Sequence, residues 1–171
     1  MKFRVLSTAA APLVLLTACA HLGGPGASAS LQPRSGSAVS GAAQFTQSGD
    51  KVLVRVQVSG LTPGQEHGFH IHDKGDCSAP DAMSAGGHFN PTGKAHGPQD
   101  GDHHGGDLPA LKADASGKAV ANFTVTGVTV TPGPTSFVGR SLIVHKDPDD
   151  YKTQPTGNSG ARLACAVITG S

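Results

Sequence analysis

Residues 51–58 read Lys-Val-Leu-Val-Arg-Val-Gln-Val. Val52, Val54, Val56 and Val58 alternate with Leu53, Arg55 and Gln57, and a period of two predicts a strand with one apolar face. The same alternation returns at residues 68–72 and 118–126. In the first, Phe69 and Ile71 share one face and His70 and His72 the other, so the apolar pair is expected in the core and the imidazoles outward. In the second, Phe123 and Val125 share a face. Residues 140–145 and 162–169 complete the strand set, with a weaker candidate at 108–113. Runs 60–64, 115–117 and 131–134 are rich in Gly, Pro, Ser and Thr and read as turns or breaks.

Two stretches have no period, residues 74–106 and 146–160. Structureless loops of that length inside a compact domain are usually functional. Their His, Asp, Gly and Pro content, with one Cys, points to loops tied down by metal and by a disulfide. Short strands separated by turns predict an all-β antiparallel sandwich or flattened barrel. Composition agrees: Gly and Pro supply 36 of 171 residues, seven are aromatic and Trp is absent. The net charge of +1 gives no argument for nucleic acid as a partner.

The N-terminus reads as an export signal over residues 1–18. Lys2 and Arg4 precede an apolar stretch centred on Leu13-Val14-Leu15-Leu16, too short for a permanent membrane span. Leu16-Thr17-Ala18-Cys19 resembles a bacterial lipoprotein cleavage box, which makes Cys19 the expected lipidation site and the anchor the only contact with a membrane. The expected location is the periplasm. Residues 19–37 are rich in Gly, Ala, Ser and Pro and read as a flexible tether, leaving 38–171 as the folded domain. With Cys19 acylated, Cys77 and Cys165 remain, either as a disulfide or as two thiols. A bridge over that separation would stabilise by about 4 kcal/mol in the chain-entropy view.

Six of the nine histidines fall between residues 68 and 104. His70 and His72, two apart on a strand, form a preorganised chelating pair suited to copper or zinc. His88 lies in Gly87-His88-Phe89-Asn90-Pro91. His96 and the run His104-Gly105-Gly106-Asp107 follow, and His145 ends the apolar strand Leu142-Ile143-Val144. Several His between Gly/Pro loops, with an Asp, can supply two metal sites at once. Cysteine-based zinc is disfavoured, because no CxxC spacing exists.

In combination, residues 68–73, 87–91, 104–108 and 157–165 resemble the copper-ligand strand, bridging-His motif, zinc loop and arginine–cysteine strand of the copper–zinc superoxide dismutases. The resemblance covers residues 38–171 in order. It implies an eight-stranded antiparallel Greek-key fold with two long functional loops, and superoxide as substrate. It implies copper bound by His70, His72, His88 and His145, and zinc bound by His88, His96, His104 and Asp107, with His88 as the shared, catalytic bridge. His103 is the alternative to His104, which the spacing to Asp107 favours. Asp149, or its neighbour Asp150, is implied as the carboxylate linking a copper-bound His to a zinc-bound His. Arg162 is implied beside the copper, and Cys77 paired with Cys165. A homodimer is compatible with it. His67 matches no ligand position and is expected as a polar strand-edge residue.

Three other readings compete. A non-enzymatic copper- or zinc-binding lipoprotein would use the same ligands but has no use for Arg162. A copper-only relative is opposed by His96, His104 and Asp107. A zinc hydrolase would leave the bridging motif unexplained.

Overall fold

The computed structural model describes residues 24–171. The export signal, Cys19 and His21 lie outside them. Ten strands follow in chain order: β1 (Gly26–Pro33), β2 (Ser40–Ser48), β3 (Lys51–Ser59), β4 (Glu66–His67), β5 (Phe69–His72), β6 (Leu111–Lys112), β7 (Ala119–Thr126), β8 (Ser141–His145), β9 (Arg162–Val167) and β10 (Thr169–Gly170). Among the described residues the helical content is one short 3₁₀ turn, Met83–Ala85.

The strands form one antiparallel sheet in the order β5-β8-β9-β1-β2-β3-β7, with β10 also on β1 and a separate pair β4-β6. After β3 the chain crosses to β5 at the far edge and returns in β7 beside β3, a Greek-key path. The sheet curls over at β1, whose residues Gly26 to Leu31 pair with β2 while Gln32 and Pro33 pair with Cys165 and Ala164 of β9. The expected all-β Greek-key architecture is the one found.

Val52, Val54, Val56 and Val58 all point inward, as the alternation required. They pack with Phe45, Phe69, Ile71, Leu142 and Val144 in one core cluster. Phe45 and Phe137 stack tilted, with centroids 5.0 Å apart.

The tether expectation needs correction. Residues 26–33 are strand β1, at the middle of the sheet, with Ala27, Ala29 and Leu31 buried and Ser28 and Ser30 exposed. An Ala/Ser alternation has little hydropathy contrast, so a real period of two looked like low complexity. β2 was missed for a similar reason, since only Ala43 and Phe45 are fully buried along it.

The first long loop is not loose. Residues 86–89 and 104–108 run along β5: Ile71 N–H donates to Gly106 O (2.8 Å), Gly106 N–H to Phe89 O (2.7 Å), Phe89 N–H to Ile71 O (2.9 Å) and Asp73 N–H to Gly87 O (2.8 Å). Gly106 has to be glycine, because a Cβ there would meet the Ile71 carbonyl and lie 3.0 Å from Phe89 N. The Cys77–Cys165 disulfide ties the first loop to β9, with Cα atoms 5.8 Å apart.

Candidate metal centre

Period two along β5 sends Phe69 and Ile71 into the barrel and His70 and His72 to its outer side. The imidazoles face outward as expected but are not exposed, because the loops close over them and both residues are 0% exposed. His145, at the end of β8, comes beside this pair across the β5–β8 pairing. His88 is placed by an isolated bridge to His72.

Two sets of donors result. One atom each from His70, His72, His88 and His145 lie within 4.8 Å of one another, and so do one each from His88, His96, His104 and Asp107. His88 is common to both. Its ring centroid lies 4.1 Å from that of His70 and 5.6 Å from that of His104.

Backbone and carboxylate partners fix which nitrogen is free in every ring of the two sets except His104. His72 Nδ1–H donates to Gly86 O (2.9 Å) and His145 Nδ1–H to Gly160 O (3.3 Å). Their Nε2 lone pairs then face each other across 3.3 Å. Two acceptors cannot bond to one another, so the pair calls for a cation between them. His70 donates Nε2–H to Asp149, which leaves Nδ1 buried without a partner. His88 Nε2, His96 Nδ1 and His104 Nδ1 are likewise buried without hydrogen bonds. Such atoms are rare in folded proteins and costly unless a ligand takes them up. Four of the six such atoms among the described residues lie in the two donor sets, the others being His67 Nε2 and Ser159 Oγ, so the side chains present fit two metal ions.

The second set carries the negative charge. Asp107 Oδ1 lies 2.8 Å from His88 Nδ1, and Oδ2 lies 3.0 Å from His96 Nδ1 and accepts from His104 N–H (2.8 Å). Burial would raise the Asp107 carboxyl, but the His88 and His96 rings beside it and the His104 N–H outweigh it and hold the group far below the usual carboxylate range. Asp149 behaves the same way through His70 and His96. Burial lowers His70 to about 4 against the pull of Asp149, and it lowers His72 and His145 well below 6.5. Those rings are neutral at pH 7, as metal ligands must be. Burial opposes protonation of His96 too, but its two carboxylates prevail and raise it to about 9.

The two sets differ in access. His72, His88 and His145 line an open cleft of about 330 Å³ with Arg162, whereas His96, His104 and Asp107 do not reach it. Arg162 is anchored by Nη1 to Ala82 O and Nη2 to Gly86 O, each 2.7 Å.

The adjacent alternatives are separated in space. Asp149, not Asp150, bridges two rings; Asp150 instead caps its own loop at Lys152 N and Thr153 N. His104 belongs to the second set, while His103 donates Nδ1–H to the His104 carbonyl and faces Thr92 and Lys94. His67 ends β4, a strand with one partner, but it is fully buried behind the site, and its Nδ1–H donates to His145 O (2.9 Å). Sequence reasoning missed the Gly86, Gly160 and Ala82 carbonyls, since a backbone acceptor leaves no residue signature. It also missed Gly157, whose φ is +66° and whose Cβ, if present, would meet the Asp149 carboxylate.

Residues 39–168 match the family model of copper/zinc superoxide dismutase. The chain belongs to the copper/zinc superoxide dismutase family. It is 43% identical over 167 residues to a Cu-Zn superoxide dismutase of Deinococcus radiodurans, covering 90% of this chain and 89% of that protein. Two Cu-Zn superoxide dismutases of Aquifex aeolicus are each 39% identical, over 135 and 133 residues and about three quarters of this chain. Copper and zinc are the family's metals, and the two donor sets suit them.

Proposed function

We propose that this chain dismutes superoxide, with copper held by His70, His72, His88 and His145 and zinc by His88, His96, His104 and Asp107. The observation that carries the reading is the sharing of His88 between a set that opens on a cleft and a set that does not. One superoxide loses an electron and leaves as O₂; a second gains that electron and two protons and leaves as H₂O₂. Copper supplies the reversible one-electron chemistry, and zinc, which has none, orders the closed site.

The chain's own residues do the rest. Arg162 presents a fixed guanidinium to a small anion entering beside His72 and His145. Gly86 and Gly160 carbonyls hold the tautomers that turn both Nε2 lone pairs inward. With Nδ1 against Asp107, His88 Nε2 is the bridging nitrogen on the cleft side, and it would carry a proton only while not bonded to copper. Asp149 keeps His70 and His96 in register, so that changes at one set are felt at the other.

The non-enzymatic binding reading is disfavoured by family membership and by the anchored Arg162. The reading extends to an exported, Cys19-anchored periplasmic protein, supported by the composition of residues 1–19, and leaves a homodimer as a further form.

The test is superoxide decay by stopped flow on metal-free, zinc-loaded and copper/zinc-loaded protein. Activity is expected only with copper. Arg162→Ala is expected to slow capture by roughly tenfold, as a lost cleft-mouth charge does. Copper bound at full stoichiometry without dismutation would overturn the reading.

A further inference from the structure

We infer that residues 34–37, the turn between β1 and β2, form a clip that positions the Arg162 guanidinium. The inference rests on the reading of Arg162 as the cleft's anion-facing charge. The turn grips two segments at once. On one side Arg34 Nε–H donates to Cys77 O (2.9 Å) and Ser35 N–H to Pro80 O (2.8 Å). On the other, Arg34 N–H donates to Leu163 O (2.7 Å), Ser35 Oγ–H to Arg162 O (2.9 Å) and Ser37 Oγ–H to Leu163 O (2.6 Å).

These are the two segments that fix the cation. Leu163 and Arg162 carry the backbone from which the side chain leaves. The segment after Pro80 supplies Ala82 O and Gly86 O, the carbonyls on which the guanidinium rests. The path therefore closes on itself: turn, loop, guanidinium, β9, turn. Ser35 sits at φ 52° and Ala82 at φ 58°, conformations a non-glycine residue keeps only when its surroundings insist. Ser35 also lines the cleft itself.

The disulfide joins the same loop to β9, but at Cys165, three positions beyond Arg162 and on the buried side. The clip acts at the cleft end, where the guanidinium is. It precedes residue 39, where the family match begins. The clip residues touch neither donor set; they act through Arg162 and are positioning residues.

The test uses full-length copper/zinc-loaded protein and azide, a small anionic copper ligand, titrated by the change in copper absorption. Arg34→Ala combined with Ser35→Ala is expected to weaken azide binding roughly threefold or more with unchanged metal content, as loss of aim at a charged donor does. Ser35→Ala alone removes one exposed hydrogen bond and gives the same direction if the double variant folds poorly. The signature of positioning is non-additivity: in an Arg162→Ala background the clip substitutions are expected to change azide affinity no further. An effect of equal size in that background, or none with Arg162 present, overturns the clip. If Arg162→Ala itself leaves azide affinity unchanged, the reading of Arg162 fails and the clip fails with it.

Discussion

His70 and His96 belong to different donor sets, yet both rings donate to one carboxylate: His70 Nε2 lies 2.7 Å from Asp149 Oδ2, and His96 Nε2 lies 2.9 Å from Oδ1. Each ring is thereby turned so that its other nitrogen faces its own donor set. Asp149→Asn keeps the shape but offers one acceptor where two are used. Affinity for zinc is expected to fall about 10–100-fold, the usual effect of losing a ligand's supporting carboxylate. Chelator competition on the loaded protein measures it, and unchanged affinity would contradict the role given to Asp149.

Gly157→Ala is expected to do the same damage from the backbone side. Its φ is +66°, and the new Cβ would collide with Asp149 Oδ1. Gly93 is the control, with φ +67° and open space around it. Gly93→Ala is expected to cost only about 1 kcal/mol of strain with zinc affinity intact, whereas Gly157→Ala loses both stability and zinc. Equal zinc affinity in the two variants would refute the collision argument.

Much of this was legible in the sequence. The valines of β3 announced their face because Val against Arg and Gln is a strong contrast. His70 and His72 announced theirs because two imidazoles at period two have one side to share. β1 was not legible: Ala27 and Ala29 against Ser28 and Ser30 differ too little in hydropathy to separate a strand from a linker. The burial of His67 was not legible, because the partner of its ring is the distant His145 carbonyl, which no local pattern encodes. The cation platform at Ala82 and Gly86 was invisible for the same reason.

Removing the disulfide by Cys165→Ser, or by reduction, is expected to cost the metal-free protein about 2–5 kcal/mol. Urea unfolding measures it. Cys165 is 1% exposed, so Cys77→Ser, at a less buried position, separates the cross-link from the burial of a hydroxyl. A loss below 1 kcal/mol in both variants would contradict this.

The pH dependence of the metal-free protein follows from the same burial. His70 has an unfolded value near 6.5 and a folded value of about 4. Between those values the unfolded chain binds a proton that the folded chain refuses, so stability falls as pH falls, by on the order of 3 kcal/mol for this ring. His72 and His145 act in the same direction. His96, raised to about 9, acts oppositely: its contribution is complete below 6.5 and is lost as pH rises through 9. Stability of the metal-free protein is therefore expected to peak near pH 6.5 and decline on both sides. Urea midpoints of chelator-treated protein across pH 5–9 check this. A midpoint rising steadily toward either end would contradict it.

The most direct measurement of the shared centre is anomalous X-ray scattering at the copper and zinc edges, on crystals of the loaded protein. The account predicts one copper among His70, His72 and His145, one zinc among His96, His104 and Asp107, and the His88 ring between them with Nε2 toward copper and Nδ1 toward zinc. Two ions that do not share His88, or a single ion at either set after full loading, would contradict it.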